Sequence, residues 1–177
     1  MNKHSYIVIA FAAVLTACGV GSSSQPAANG VDTAAQTSSP AIAVGKPGKA
    51  GAVQFTVTAV STTGQIGPAP VGAKAEAGET FVVVSYTIKN VGDATLPYAD
   101  RPGVTLVDGK GQSYEPDMSA SMMAAGMMSD TSGMASDLNP NVSAKMKVAL
   151  KVDKSAFDKA SWKVVVATDP ALTYALK

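Results

Sequence analysis

Residues 81–90, Phe-Val-Val-Val-Ser-Tyr-Thr-Ile-Lys-Asn, carry the strongest strand signal in the chain. Every second residue is apolar, and this face consists of Val82, Val84, Tyr86 and Ile88. An alternation with a period of two is typical of a strand that buries one face. Phe81 and Val83 add apolar side chains to the opposite face at one end. The stretch therefore predicts a central strand that is covered on one side along its whole length.

The same alternation occurs in two flanking segments. Residues 53–59 predict a strand with an inward face made of Val53, Phe55, Val57 and Ala59. Residues 143–153 predict another strand, with Met146, Val148, Leu150 and Val152 on the inward face. Its opposite face carries residues that we expect to be solvated, namely Lys145, Lys147, Lys151 and Asp153.

Shorter strands are predicted at 104–107, 112–115, 162–167 and 172–176. Asp108-Gly109 favours a hairpin turn between the first two. Residues 63–78, rich in Gly, Ala and Pro, are expected to form a loop, and residues 155–160 a single helical turn. Many short strands without long helical patterns predict an all-β protein, an antiparallel β-sandwich of two sheets.

The first 17 residues have the features of a secretory signal peptide. The start is basic at Lys3, and residues 6–17 form an apolar run of 12 residues. A helix needs about 20 apolar residues to cross a bilayer, so this run is too short for a permanent transmembrane anchor. We therefore predict that residues 1–17 are removed.

Leu15-Thr16-Ala17-Cys18 resembles the lipobox of bacterial lipoproteins. The resemblance implies that Cys18 receives a diacylglyceryl group, with palmitate-type acyl chains, and becomes the first residue of the mature protein. Cys18 is the only cysteine, so it cannot form an internal disulfide. Two or three acyl chains give stable anchoring. The expected location is the cell envelope, and the outer membrane in a Gram-negative cell because Gly19, not Asp, follows the cysteine.

Residues 18–42 are predicted to be the lipidated cysteine followed by a disordered linker. Gly, Ser, Ala, Gln, Thr, Asn and Pro dominate this segment, which cannot bury enough surface to fold. Its random-coil reach is roughly 25–30 Å. Residues 43–177 remain as the folded domain.

Charge and composition after processing exclude several classes of function. Loss of residues 1–17 removes Lys3 from 14 basic residues and leaves 13 of them against 13 acidic ones. A neutral chain has no long-range attraction to nucleic acid. Loss of His4 also leaves no histidine, and Cys18 is acylated, so the commonest general base, metal ligand and thiolate nucleophile are absent. We expect no enzymatic activity and no cofactor.

The order of segments resembles a bacterial family of immunoglobulin-like domains of unknown function. The resemblance rests on residues 52–60, 78–92, 106–109, 113–117, 138–143 and Trp162. Some members are labelled telomeric repeat-binding factor, which nothing in this chain supports, and the fold is similar to that of mycobacterial immunoprotective extracellular antigens. The resemblance implies an immunoglobulin-like sandwich over residues 43–177 and supplies no catalytic residues. Leu150-Lys-Val-Asp-Lys154 departs from the Phe-x-Val-Pro pattern that is frequent in the family.

Residues 118–134 are unusual because they contain six methionines: Met118, Met122, Met123, Met127, Met128 and Met134. Thioethers are soft ligands that select Cu(I), so one interpretation is a copper site. The favoured interpretation is a Met-rich crossover loop whose flexible side chains fill gaps against the sandwich. An adaptable surface for a protein partner is a third interpretation.

Carboxylates offer weaker alternatives. Asp108, Glu115 and Asp117 lie close in sequence around the hairpin, but Lys110 stands where a calcium ligand would be expected. A paired-carboxylate glycosidase needs a deep cleft, which such sandwiches rarely have. The sequence therefore favours a lipid-anchored envelope protein that binds or scaffolds an unidentified envelope component, with Cu(I) handling by residues 118–134 as the alternative.

Overall fold

The computed structural model of the protein describes residues 40–131 and 133–177. The predicted signal peptide, Cys18 and nearly all of the predicted linker lie outside the described residues. β1 begins at Ile42, one residue inside the segment assigned to the linker.

Within the described residues, strands alternate with turns and a single α-helix. The strands are β1 (Ile42–Ala43), β2 (Gly48–Ala50), β3 (Val53–Thr63), β4 (Gln65–Ile66), β5 (Ala73–Lys74), β6 (Glu79–Asn90), β7 (Val104–Val107), β8 (Ser113–Tyr114), β9 (Ser143–Asp153), β10 (Lys163–Val166) and β11 (Leu172–Ala175). The helix is α1 (Met118–Gly126), and a 3₁₀ turn spans Tyr98–Asp100. None of the helices in this part of the chain is long and apolar enough to cross a membrane.

Two main sheets form a sandwich, which confirms the predicted fold class. The five-stranded sheet has the order β1-β11-β10-β7-β8, and the four-stranded sheet has the order β2-β3-β6-β9. β4 and β5 form a small separate sheet. The strands pair in antiparallel fashion, apart from β1 and β11, which run parallel.

The stretch at 81–90 makes up all of β6 except its first two residues, and β6 pairs with β3 on one side and with β9 on the other. Its predicted inward face, Val82, Val84, Tyr86 and Ile88, is buried as expected. The sandwich core also contains Phe55, Leu106, Trp162, Val164 and Tyr174. Tyr86 stacks on Phe55 with ring centroids 4.5 Å apart.

Three local predictions are wrong. Ala59 is exposed, because a bulge between Val57 and Ala59 shifts the β3–β6 register and reverses the alternation. The predicted loop at 63–78 contains β4 and β5. Residues 155–160 form hydrogen-bonded turns rather than a helical turn.

The Met-rich segment is not a loop over its first nine residues, which form α1. Asp117 caps the helix by accepting a hydrogen bond from the Ala120 amide at 2.9 Å. The buried face consists of Ala120, Ala124 and Ala125. This face packs on the outer side of the four-stranded sheet in a second apolar cluster with Ile66, Phe81 and Ala149.

Candidate functional site

The methionines of α1 and of its C-cap, Met127, are mostly turned away from the protein. Met118, Met122 and Met127 are 77%, 68% and 61% exposed. Each helical residue is rotated by about 100° from the last, which puts Met118 and Met122 about 40° apart on one flank. Alanines, not methionines, fill the contact with the sheet, so the gap-filling interpretation is wrong for these three side chains.

Met123 is the exception, because it packs between α1 and the small β4–β5 sheet. A Cβ added at Gly67 would lie 3.0 Å from the Met123 sulfur. Gly67 has a φ of +84°, a conformation that glycine adopts without strain. Glycine at this turn lets the Met123 thioether approach the backbone, and this side chain behaves as the gap-filling interpretation expects.

The remaining methionines lie beyond the helix. Met128 lines a depression beside Lys145 and Lys147 on β9. Met134 is half-buried in the following loop. The six methionines thus lie on α1, at its C-terminal end and in the following loop; three of them are more than half exposed, whereas Met123 is packed. Cu(I) handling by residues 118–134 stays an alternative hypothesis.

The carboxylates near the β7–β8 hairpin have local structural roles. Asp108 accepts hydrogen bonds from the amides of Lys110 and Gln112, both at 2.8 Å. The Gln112 bond is the main cause that holds the pKa of Asp108 below its usual value. Asp117 is the α1 cap, and Glu115 is exposed. Nowhere in residues 40–131 or 133–177 do three His, Cys, Asp or Glu side chains form a group able to hold a metal ion.

The outer side of the four-stranded sheet carries a set of lysines beside α1. One row of cross-strand partners contains Lys49 on β2, Gln54 on β3, Lys89 on β6 and Ser143 on β9. The next row is Thr56, Thr87 and Lys145, and the third is Ala59, Ser85 and Lys147. We call Lys49, Lys89, Lys145 and Lys147 the lysine face.

The lysine face has no acidic partner within these three rows. Lys89 and Lys145 occupy diagonal positions on neighbouring strands, where side chains lie about 7–8 Å apart and like charges repel. A salt bridge lies at the other end of the sheet, between Lys151 and Glu79 at 3.6 Å. Asp130 borders the lysine face in the depression that it shares with Lys145 and Lys147.

An open depression of about 340 Å³ lies on the lysine face. Its lining includes Thr58, Ser85, Thr87, Lys145, Lys147 and Met128. Met127 lines an adjoining depression with Lys147. Cationic, hydroxyl and apolar groups therefore meet on one surface.

Arg101 holds the loop that follows α1. Its guanidinium donates hydrogen bonds to the carbonyl oxygens of Gly133 and Ser136. The same group lies over the Tyr98 ring, 5.0 Å from the centroid, and the Tyr98 amide donates to Asp137 at 2.9 Å. These contacts fix the loop beside the lysine face.

Comparison with known proteins gives the family. Residues 42–169 match the family named Domain of unknown function (DUF4352). The chain belongs to this family. It is 39% identical over 127 residues to the uncharacterized protein YxkC of Bacillus subtilis (strain 168), and the match covers 71% of each chain. The family resemblance inferred from the sequence is confirmed at this level, as membership of a family of unknown function.

Two solved structures are similar. A conserved hypothetical protein from Bacillus anthracis matches with a TM-score of 0.65 and 25% identity, over 76% of this chain and 94% of that chain. An uncharacterized β-sandwich protein from Clostridium difficile 630 matches with a TM-score of 0.53 and 12% identity, over 78% and 95%. The second likeness shows the fold alone. The immunoglobulin-like assignment within this sandwich class stays a prediction.

Sequence reasoning found only part of the lysine face. The alternation in 143–153 correctly turned Lys145 and Lys147 outward. Lys49 and Lys89 join them only through the register of β2, β3 and β6, and no local pattern in the sequence signals that pairing.

Proposed function

We propose that the protein is a lipid-anchored component of the cell envelope, in which the β-sandwich binds or scaffolds another envelope component without catalysis. The observation that carries the proposal is Leu15-Thr16-Ala17-Cys18 at the end of a short apolar run. Lipidation of Cys18 accounts for the only cysteine of the chain. A flexible segment after it would let the sandwich stand clear of the membrane while remaining close to it.

The composition of the processed chain supports a role without catalysis. After removal of residues 1–17 it contains no histidine, and acylation occupies its one thiol. Its balanced charge also disfavours nucleic acid as a partner. In a Gram-negative cell, Gly19 after the cysteine favours the outer membrane.

Metabolic labelling with a radioactive or alkyne-bearing palmitate tests the anchor in bacterial cells. We expect the wild-type chain to take up the label and to sediment with membranes. The Cys18→Ser variant should remain unlabelled and should appear in the soluble fraction.

A displaced cysteine provides the matched control. The double variant Cys18→Ser, Ser22→Cys keeps one thiol but moves it four residues further from Leu15. We expect it to remain unlabelled as well. Membrane association and label in either variant would show that these four residues do not direct lipidation and would overturn the proposal.

A further inference from the structure

We propose that the outer side of the four-stranded sheet, made of the lysine face and the exposed methionines of α1, docks on an anionic lipid bilayer. This inference rests on the proposed function, because the lipid anchor would keep the domain within reach of a membrane. It assigns a ligand, the phosphate groups of anionic lipids, to this surface.

Charge complementarity is the first argument. Four lysines share three adjacent cross-strand rows, and the other positions of those rows carry hydroxyl, amide or methyl groups. Their mutual repulsion has no compensating carboxylate within the rows, and Asp130 at the border is one acid against four bases. An anionic surface would neutralise this repulsion, and each lysine near such a surface is expected to raise binding about fivefold.

The exposed methionines are the second argument. A helix is about 10–12 Å across, so the outer side of α1 stands above the sheet on which its alanines pack. Met118, Met122 and Met127 are more than half exposed on or next to that helix. Apolar side chains at this height can enter the boundary between head groups and acyl chains, while the lysines of the lower sheet surface meet the phosphates.

The two features are continuous. Met127 lines one depression with Lys147, and Met127 and Met128 line another with Lys145 and Lys147. A soluble anionic polymer would explain the lysines but would leave the exposed thioethers without a purpose. A bilayer takes both cations and apolar groups on one face, which is the reason for assigning a lipid surface rather than a polymer.

Vesicle binding tests the proposal without the anchor. The processed chain, residues 18–177, carries Cys18→Ser so that acylation contributes nothing, and its partition onto phosphatidylcholine vesicles is compared with that onto vesicles that also contain phosphatidylglycerol. We expect binding only to the anionic vesicles, and we expect it to weaken as salt is added. Failure here with a normal palmitate label on the wild type would overturn the docking surface and leave the anchor intact.

Two double variants distinguish an effect of the lysine face from an effect of the net charge of the chain. Lys145→Gln with Lys147→Gln should lower partition onto the anionic vesicles about 25-fold, at about fivefold for each lysine. The control, Lys110→Gln with Lys163→Gln, removes the same charge from the hairpin turn and from β10 of the other sheet. We expect the control to bind nearly as well as the parent. An equal loss in both pairs would overturn the assignment to the lysine face.

Met118→Gln with Met122→Gln tests the apolar part. We expect weaker partition onto anionic vesicles, with unchanged binding of soluble polyglutamate. An unchanged partition, or tighter binding of polyglutamate than of vesicles, would assign the lysines to a soluble polymer and overturn the proposal.

A footprint on the acylated wild type in anionic vesicles gives a second measurement that does not depend on the folding of any variant. Amine-reactive labelling of Lys145 and Lys147 should fall relative to neutral vesicles, while that of Lys163 should not. Equal labelling in the two vesicle types would contradict docking.

Discussion

The Ser121 side chain on α1 forms two hydrogen bonds with the backbone of Ala149 on β9. Its oxygen accepts from the Ala149 amide at 2.9 Å, and its hydroxyl donates to the Ala149 carbonyl at 3.2 Å. The Asp117 amide donates to the same carbonyl at 2.8 Å. β9 is an edge strand of its sheet, so the start of α1 covers polar groups that would otherwise be open to pairing with another chain.

Replacing Ser121 with Ala should lower the free energy of unfolding by about 1–3 kcal/mol, because the Ala149 amide would be buried without a partner. The substitution should also accelerate amide hydrogen exchange in α1 more than in β6. Chemical denaturation and exchange measured by mass spectrometry check these two results.

Ser119→Ala is the matched control, since Ser119 is exposed on the same helix. We expect its unfolding free energy to change by less than about 0.5 kcal/mol. Equal losses in the two variants would show that the Ser121 bonds do not hold the helix.

The hairpin at Asp108 predicts a dependence of stability on acid pH. Hydrogen bonds from Gln112 and Lys110 lower the pKa of Asp108, so the folded state favours the ionised carboxylate. The ionised Asp108 carboxylate therefore contributes its full stabilisation of the folded state above the ordinary aspartate pKa of about 3.9. This stabilisation is lost as pH falls through the lower pKa that Asp108 has in the folded state. Asp108→Asn keeps an acceptor oxygen but does not titrate, so its unfolding midpoint should fall less steeply below about pH 4.

Urea denaturation at a series of acid pH values measures this slope. The variant should retain part of the dependence of stability on pH, because two other aspartates also have lowered pKa values. Hydrogen bonds from Ser155 lower the pKa of Asp153, and one from Ala160 lowers that of Asp158. Parallel pH profiles for wild type and variant would contradict the prediction for Asp108.

Strands with a regular alternation were predictable from sequence, because burial on one face leaves a pattern with a period of two. β6 and β9 follow this rule, and their inward residues lie where the pattern puts them. β3 departs from it after Val57, because a bulge adds one residue to one strand of the pair. Nothing in the residues around Thr58 indicates a bulge there.

The sequence did not predict α1 because the larger apolar residues of this helix are exposed and the smaller ones are buried. The small residues Ala120, Ala124 and Ala125 face the sheet, whereas the larger Met118 and Met122 face outward. Asp117 in the capping position and the alanine spacing of four residues were the available signals. The lysine face depends on pairing between strands distant in sequence, which a local pattern does not contain.

The different positions of the methionines around α1 predict weak Cu(I) binding. Met123 is packed over Gly67, whereas the exposed side chains of Met118 and Met122 lie about 140° and 100° around α1 from it. Titration of the processed chain against a competing chelator should give micromolar or weaker binding. Leucine at positions 118, 122 and 127 removes three exposed sulfur atoms without opening a cavity and should leave the result unchanged. Tight binding that is lost in this triple variant would revive the copper interpretation.

Tyr174 joins the two sheets through its buried hydroxyl group. The residue lies on β11 of the five-stranded sheet, and its ring is fully buried. Its hydroxyl donates to the Phe55 carbonyl on β3 at 2.6 Å and accepts from the Gly48 amide on β2 at 3.1 Å. Burial raises the pKa of Tyr174, so the neutral donor form persists in the folded state.

Tyr174→Phe keeps the ring but removes both bonds, and we expect the free energy of unfolding to fall by about 1–3 kcal/mol because two buried backbone groups lose their partner. Tyr114→Phe is the matched control, since the Tyr114 hydroxyl lies 3.5 Å from Asp108 in a half-exposed position. Its loss should be smaller than about 0.5 kcal/mol. Chemical denaturation of both variants provides the comparison. A stability for Tyr174→Phe equal to that of the wild type would show that packing alone, without this polar link, joins the sheets.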